Sequence, residues 1–290
     1  MKKILITGTT GMLGAEVVHA LIRHPDLEVY GIGRRRSSLL PDARQFIADL
    51  ANPQSIQLPD LAPDFIVHTA ALTDLGLCER DPNLAERVHV ESSKLLAGMV
   101  ENDGCFIYVS TDSIFEGDNG NYTEQSAPNP LNVYAATKLR GERAVQEVAH
   151  KSIVVRTNIY GIHHPFSKSL AEWAYTEWIA GRKINGFTDV FFNPVFTGQL
   201  AEIIRWLIDE NIPVPVLNVG SNECISKYEF LRLLAEEIGV DPALLEPRLS
   251  SDFPSALKRP NNTCLDIKLF SKLREAPRFR DGIRDWRSRL

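Results

Sequence analysis

Tyr134 and Lys138 stand four residues apart in Tyr134-Ala135-Ala136-Thr137-Lys138. On a helix that spacing puts both side chains on one face. Together they suit the reduction of a ketone, which needs a hydride and a proton for the emerging alkoxide. A Tyr hydroxyl can give the proton, but its ordinary pKa of about 10 is too high for efficient reversible transfer at neutral pH. A nearby ammonium favours the phenolate, so Lys138 is expected to lower the Tyr134 pKa. Ser110-Thr111-Asp112-Ser113-Ile114-Phe115 follows the apolar run Phe106–Val109. A hydroxyl at a strand's carboxyl end can hold a substrate carbonyl, which makes Thr111 the third catalytic candidate.

Hydride chemistry calls for a cofactor site. Thr7-Gly8-Thr9-Thr10-Gly11-Met12-Leu13-Gly14 lies between a short β-type run, Ile4–Ile6, and an amphipathic stretch, Ala15–Arg23. Glycines here allow positive φ and close backbone approach to a ligand. The helix that follows offers free N–H groups and a partial positive charge to a phosphate. Strand before, helix after and a βαβ continuation make this a dinucleotide turn. Gly8, Thr10, Gly11, Met12, Leu13 and Gly14 are its cofactor-binding candidates. About 20 positions further on, an NAD site carries an acid for the ribose 2′-OH. This chain instead reads Gly33-Arg34-Arg35-Arg36. Arg34 and Arg35 suit a 2′-phosphate, so NADP(H) is expected over NAD(H), which is not excluded. Lys138 is expected to reach the cofactor ribose, beside Tyr134.

The elements that position these groups follow from patterning. Ile4–Ile6, Val29–Ile32, Phe65–His68, Phe106–Val109 and Ser152–Arg156 read as strands, with a helix over Leu84–Val100. Nearly unbroken apolar strands separated by helices mean a parallel sheet covered on both faces. Further on, helices are expected at Ser169–Ala180, Leu200–Asp209 and Lys227–Ile238, with a strand at Val216–Val219. Strand density falls after residue 156. The expected architecture is α/β, a Rossmann-type doubly wound parallel sheet with a smaller C-terminal α/β substrate-binding lobe. The cofactor domain is 1–156, rejoined by a segment of about 190–220. Residues 157–290 are mainly the substrate lobe.

Composition narrows the function classes. The 290 residues carry 32 Lys+Arg against 37 Asp+Glu, a net charge of -5, which speaks against a general nucleic-acid partner. Hydrophobic residues make up 44%, too many for a disordered chain. No apolar run approaches a membrane span. Cys78, Cys105, Cys224 and Cys264 form no CxxC pair and show neither metal spacing nor disulfide density. A reduced, cytoplasmic chain without metal is expected. Asn261-Asn262-Thr263 matches a glycosylation sequon, which is set aside for want of a secretory signal. His163-His164 lacks a third ligand and suits a substrate-loop or surface role. Trp173, Tyr175 and Trp178 either pack in the smaller lobe or cover a sugar.

The chain resembles the extended short-chain dehydrogenases/reductases, and among them the dTDP-4-dehydrorhamnose reductase (RmlD-like) family. The residues that carry this are Thr7–Gly14, Val109–Asp112 with Phe115-Glu116-Gly117, and Tyr122-Thr123-Glu124. Pro128 to Tyr134 continues it to Lys138-Leu139-Arg140-Gly141-Glu142, then Arg156-Thr157, Tyr160-Gly161 and Arg259-Pro260 with Leu265-Asp266. The resemblance implies a catalytic Thr111, Tyr134 and Lys138. It implies Asp49 and Leu50 against the adenine, with Ala70, Ala71 and Thr73 along the ribose and phosphates. Asp112, Phe115 and Arg259 would face a nucleoside-diphosphate sugar. Many relatives have Asn at His89, serving a water relay behind the Lys; His89 either does the same or makes a structural hydrogen bond. The family often has Tyr where Ser113 stands, which leaves the particular sugar open.

The activity implied is NADPH-dependent reduction of a nucleotide-linked 4-keto-6-deoxy sugar, for deoxysugar and polysaccharide precursors. Two alternatives stand beside it. One is an epimerase or dehydratase on the same fold. The other is a non-catalytic subunit like that of methionine adenosyltransferase. No nucleic acid or membrane partner is expected, and a homodimer is compatible with the sequence.

Overall fold

A computed structural model describes every residue except Asn102 and Lys168. The chain starts with β1 (Lys2–Thr7), α1 (Met12–Leu21), β2 (Leu27–Gly33), β3 (Gln45–Ile47) and β4 (Phe65–His68). It continues through α2 (Leu75–Arg80), α3 (Pro82–Glu86), α4 (Ser92–Ala97), β5 (Cys105–Val109), α5 (Val133–Val148) and β6 (Ser152–Thr157). These strands, with one added later, form a seven-stranded sheet whose pairings are all parallel.

Alternation within β1 explains why its middle, Ile4–Ile6, is apolar without a break. Ile4 and Ile6 join Val17, Val18 and Leu21 on one face of the sheet, while Leu5 joins Ile66, Phe106 and Val154 on the other. Both faces are covered, so no position along the strand can be polar without a partner. The expected doubly wound α/β sheet is the one found.

The second half adds β7 (Ile159–Tyr160), α6 (Leu170–Ile179), β8 (Ile184–Phe187), β9 (Phe191–Phe192), β10 (Val195–Phe196) and α7 (Thr197–Glu210). Next come β11 (Val216–Val219), β12 (Ile225–Ser226), α8 (Lys227–Ile238), β13 (Leu245–Arg248), α9 (Lys268–Leu273) and α10 (Phe279–Arg287). The sheet order is β11-β6-β5-β4-β1-β2-β3, so β11 closes the edge beyond β6. In α7, Leu200, Ile203, Ile204 and Leu207 recur every three or four residues and pack on the α1 side of the sheet. The remaining elements enclose a separate core of Tyr160, Trp178, Phe192, Phe230, Phe279 and Trp286. Trp178 lies within it, whereas Trp173 is 39% exposed.

Two expectations need correcting. The helix expected over Leu84–Val100 is present as one helical run from Pro82 to Ala97, but it carries a π-helical turn, Arg87–Glu91, between α3 and α4. Ser92 and Ser93 donate their hydroxyls to the carbonyls of Val88 and His89 (2.7 and 2.8 Å). Such back-bonds to the preceding turn bend helices and favour a bulge. The chain is also not free of disulfides. Cys224 and Cys264 are bridged, with Cα atoms 5.7 Å apart, while Cys78 and Cys105 are free and buried. Folding, not spacing, brings together two cysteines 40 residues apart.

Closing a loop of that length constrains the unfolded chain by about 4 kcal/mol in the chain-entropy account. Cys224→Ser should therefore lower unfolding free energy by about 2–4 kcal/mol in urea titrations of the oxidised protein, and excess dithiol should give the wild type the same midpoint as the variant.

Candidate active site

The strand order reverses between β1 and β4, and ligands of such sheets bind where the carboxyl ends diverge. Thr7 ends β1 and is in register with His68, which ends β4. The Thr7 hydroxyl accepts from the N–H groups of Thr69 and Ala70 (3.1 and 3.0 Å). Its own proton then goes to His68 Nδ1 (3.1 Å). His68 Nε2–H consequently donates to Ser93 Oγ (3.1 Å), whose proton is used on the His89 carbonyl. One threonine thereby ties the glycine turn to the Thr69–Thr73 loop.

The turn itself fits a dinucleotide. Gly8 has φ +69°, and a Cβ there would lie 3.1 Å from Ala70 Cβ. A Cβ at Gly14 would come within 2.2 Å of the Gly8 carbonyl oxygen. At both positions the protein's own atoms stand where a side chain would, so glycine is what lets the turn close and α1 pack against it. Gly11, at the α1 N-cap, makes no side-chain cap bond, so the first N–H groups of α1, around Met12 and Leu13, face outward. Thr10 is half-buried at the rim of the turn. Arg34 and Arg35 are exposed just past β2 and form no ion pair among the described residues, whereas Arg36 engages Asp42 (3.4 Å). The Ala48 N–H donates to the Gly33 carbonyl (3.1 Å), which sets Asp49 and Leu50 beside the same strand end. Ala71 is half-buried and Thr73 exposed on the loop after β4.

On α5, Asn132 caps the helix by accepting from the Ala135 N–H (2.9 Å). Tyr134 and Lys138 follow on one face. The Lys138 ammonium is buried; it donates to the Val109 carbonyl (2.7 Å) and sits 4.0 Å above the Tyr108 ring. Burial pushes it down to about 7, with Glu142 pulling the other way. The expected effect on Tyr134 is absent. Burial pushes its phenol up to about 12, opposed by the Thr111 hydroxyl. In this structure the Lys138 ammonium bonds the Val109 carbonyl and lies over the Tyr108 ring instead.

His89 lies edge-on to Tyr134, ring centroids 5.6 Å apart. Its Nε2 accepts from the Leu72 N–H (3.0 Å), so Nδ1 carries the proton toward Thr137 Oγ1 (2.7 Å). Burial, then the Lys138 charge, pushes His89 down to about 2. Of the two roles left open, the hydrogen bonds match the structural one: both ring nitrogens are committed.

Two residues expected to face the sugar do not. Asp112 is 1% exposed, and its oxygens accept from Thr111, Ser113, Asn158 and Thr263. Burial raises its pKa and these four bonds oppose the rise. Phe115 is fully buried, stacked 4.3 Å from Tyr122 with Arg156 over its other side (5.6 Å). Arg259 is exposed and lines a cleft of about 470 Å³ with Glu116, Leu131, Phe191 and Asn261.

Sequence reasoning missed a buried ion pair behind the catalytic helix. Glu142 accepts from Arg156 Nη2 (2.8 Å) and from Ser110 Oγ (2.5 Å), next to Thr111. The four-residue spacing from Lys138 to Glu142 was the available signal. It also missed Lys227, which burial and the Arg259 charge push down and Asp112 pulls up. His163 bonds Glu172 (2.8 Å), holding the loop after β7. Among the described residues, no group of three or more His, Cys, Asp or Glu could hold a metal, and no helix is long and apolar enough to cross a membrane.

A parallel sheet in this order, with a glycine turn where the order reverses, belongs to a short-chain dehydrogenase/reductase of the extended branch, a class of oxidoreductases. Comparison carries this further: the chain belongs to the family described as RmlD substrate binding domain, which matches residues 1–290. It is 28% identical over 269 residues to the probable low-salt glycan biosynthesis reductase Agl14 of Haloferax volcanii, covering 90% of this chain and 89% of that one. It is 30% identical to methionine adenosyltransferase 2 subunit beta of Xenopus laevis, covering 98% and 86%. In fold it is similar to dTDP-4-dehydrorhamnose reductase of Bacillus anthracis in complex with NADP, with a TM-score of 0.86, 22% identity and full coverage of both chains.

The buried Lys138 predicts a pH effect on stability. Its pKa is about 7 in the folded, ligand-free chain and about 10.4 when unfolded. Between those values the unfolded chain binds more protons, so stability rises with pH there and is flat below. The melting temperature of the cofactor-free protein should climb more steeply from pH 7 to 10 in wild type than in Lys138→Met. Parallel curves would contradict this.

Proposed function

We propose that the protein reduces the 4-keto group of a nucleoside-diphosphate-linked 4-keto-6-deoxy sugar, with NADPH preferred over NADH, in a step that yields deoxysugar precursors. The observation that carries the reading is that Thr111 bonds Tyr134 and that Lys138 lies buried one turn further along α5, in a sheet whose first strand ends in a tight glycine turn at the N-terminus of α1. Gly8, Gly11 and Gly14, with the first N–H groups of α1, would hold that pyrophosphate, and Arg34 and Arg35 the 2′-phosphate. Bound NADPH would supply the hydride.

Tyr134 would give the proton to the emerging alkoxide. A phenol at about 12 is fully protonated at neutral pH, which is the state a reduction starts from. Thr111 would hold the carbonyl oxygen by turning to it the one proton that it gives to Asp112 in this structure (3.2 Å), while the Ser113 N–H (3.2 Å) keeps its oxygen in place. Lys138 would reach the cofactor ribose and, in its protonated form, place positive charge near the phenolate that Tyr134 leaves behind. On the sugar side, Arg259 and Lys227 are two cations on one side of Asp112, suited to a diphosphate. The cofactor half would be 1–156 with β11 and α7, and 157–290 would mainly choose the sugar.

Asp112 also separates this reading from a dehydratase. A buried carboxylate whose oxygens accept from four protein donors carries no proton to deliver to a substrate hydroxyl, so it is ill-placed to act as an acid there. A second reading, a regulatory subunit, is favoured by the likeness to the methionine adenosyltransferase subunit. Copurification with a larger enzyme, and no turnover of any keto sugar, would support it instead.

Tyr134→Phe should cut turnover by about 10²–10⁴-fold while the NADPH dissociation constant stays within error. The assay is loss of NADPH absorbance with a panel of nucleotide-linked keto sugars; near-normal turnover in this variant would reject the mechanism. Arg34→Ala and Arg35→Ala should each raise the NADPH KM about tenfold and leave the NADH KM alone. An unchanged cofactor preference in both would remove the 2′-phosphate assignment.

A further inference from the structure

Three arginines follow β2, and one of them is used within its own loop. Arg36 donates from Nη1 to the Asp42 carbonyl (3.1 Å) and pairs with the Asp42 carboxylate (3.4 Å). Arg34 and Arg35 lie on the short stretch between Gly33 and Ser37, and both ends of that stretch are held. At the near end the Gly33 carbonyl takes the Ala48 N–H (3.1 Å). At the far end stands Gln45, the first residue of β3. Its Oε1 accepts from the Ser37 N–H (2.6 Å), and its Nε2 donates to the carbonyls of Ser37 (3.0 Å) and Leu40 (2.7 Å). Both protons of that amide go to the backbone of one loop. Leu40 is 6% exposed and belongs to the core on the α1 side, beside Gly31, the residue of β2 in register with Gln45. A Cβ on Gly31 would stand 2.9 Å from Leu40 Cδ1 and 2.9 Å from Thr9 Cγ2. The clamped loop and the glycine turn therefore rest on the same spot of the sheet.

We propose that Gln45 is a positioning residue for the 2′-phosphate of the cofactor: it holds the Arg34–Arg36 stretch in place before the phosphate arrives, and so sets the preference for NADPH over NADH. The proposal rests on the reading that Arg34 and Arg35 take that phosphate. Its logic is one of ordering. A loop that must order itself on binding loses in affinity what the ordering costs, and a loop already held does not. Three residues between two fixed points leave the backbone of Arg34 and Arg35 little freedom. Gln45 is neutral and its hydrogen bonds all go to backbone, so it fixes the loop without competing for either guanidinium. A glutamate there would keep the Ser37 bond, lose both donations and add a charge that competes with the phosphate. The gain falls on NADPH alone, because NADH carries only a hydroxyl where the two arginines would grip.

The test measures dissociation constants of the full chain for NADPH and NADH by fluorescence titration, so it needs no sugar substrate. Gln45→Met keeps the length of the side chain and removes all three bonds. Its NADPH Kd should rise about tenfold, the scale of re-immobilising two long side chains, while its NADH Kd stays within about twofold. The same substitution placed on Arg34→Ala/Arg35→Ala should leave the NADPH Kd within about twofold of that background, because the clamp then serves no cation. A Gln45→Met protein that binds NADPH as the wild type does overturns the proposal. So does an equal loss for both cofactors, or a loss that persists undiminished in the double-alanine background. If Arg34→Ala/Arg35→Ala itself keeps the NADPH preference, the 2′-phosphate reading fails and this proposal with it. Gln45 stands on the edge strand of the sheet. Should its methionine variant not fold, amide exchange of the cofactor-free wild type decides. The Ser37 amide, which donates to Gln45, should exchange at least about tenfold more slowly than an unprotected amide and gain little on adding NADPH. Exchange at the unprotected rate overturns the proposal.

Discussion

The closeness of α5 to the sheet and to the bent helix before it governs the rest of the site. Gly141 makes that closeness possible. A Cβ there would stand 2.3 Å from the His89 carbonyl oxygen and 2.3 Å from the Tyr108 hydroxyl. Without one, the helix settles until Lys138 rests on the Tyr108 ring and Glu142 reaches Ser110 and Arg156. Any side chain at 141 would lift the helix, and with it every catalytic candidate α5 carries. The π-helical turn belongs to the same constraint, because it brings His89 to where Leu72 and Thr137 can both bond it.

Polar groups in this interior are satisfied in a directed order. His68 and His89 hold opposite tautomers, each set by the donors around it. Both are kept neutral, chiefly by burial and then by the Lys138 charge. A single uncompensated charge among so many committed hydrogen bonds would be costly. The Glu142–Arg156 pair shows the alternative arrangement, in which two buried charges answer each other and Ser110 takes a remaining lone pair. The catalytic strand end is thus held by neutral donors on one side and by an ion pair on the other.

Much of the scaffold was legible because its signals are local. Phe65–His68 and Lys227–Ile238 are the elements their apolar spacing indicates, and the glycine turn needs only its own neighbours to be recognised. The π-helical turn at Arg87–Glu91 was not legible, since it goes with which way two serine hydroxyls point. Asp112 and Phe115 share a loop with Thr111, and nothing in that loop says they turn inward. Their burial is set by Asn158, Thr263, Tyr122 and Arg156, residues that folding brings from elsewhere. The same holds for Cys224 and Cys264. Nor does spacing say where a buried ammonium bonds: Lys138, four residues from Tyr134, donates to the Val109 carbonyl.

The position of β11 has a consequence in time. β6 ends at Thr157, and the strand that covers its outer edge, β11, begins only at Val216. At ribosomal speeds of roughly 5–20 residues per second, an interval of about 3–12 seconds separates the two. Throughout that interval the nascent sheet presents the bare hydrogen-bonding edge of Ser152-Ile153-Val154-Val155-Arg156-Thr157, an apolar strand with strong pairing capacity. The order of synthesis therefore makes this edge the segment of the growing chain most in need of a temporary cover.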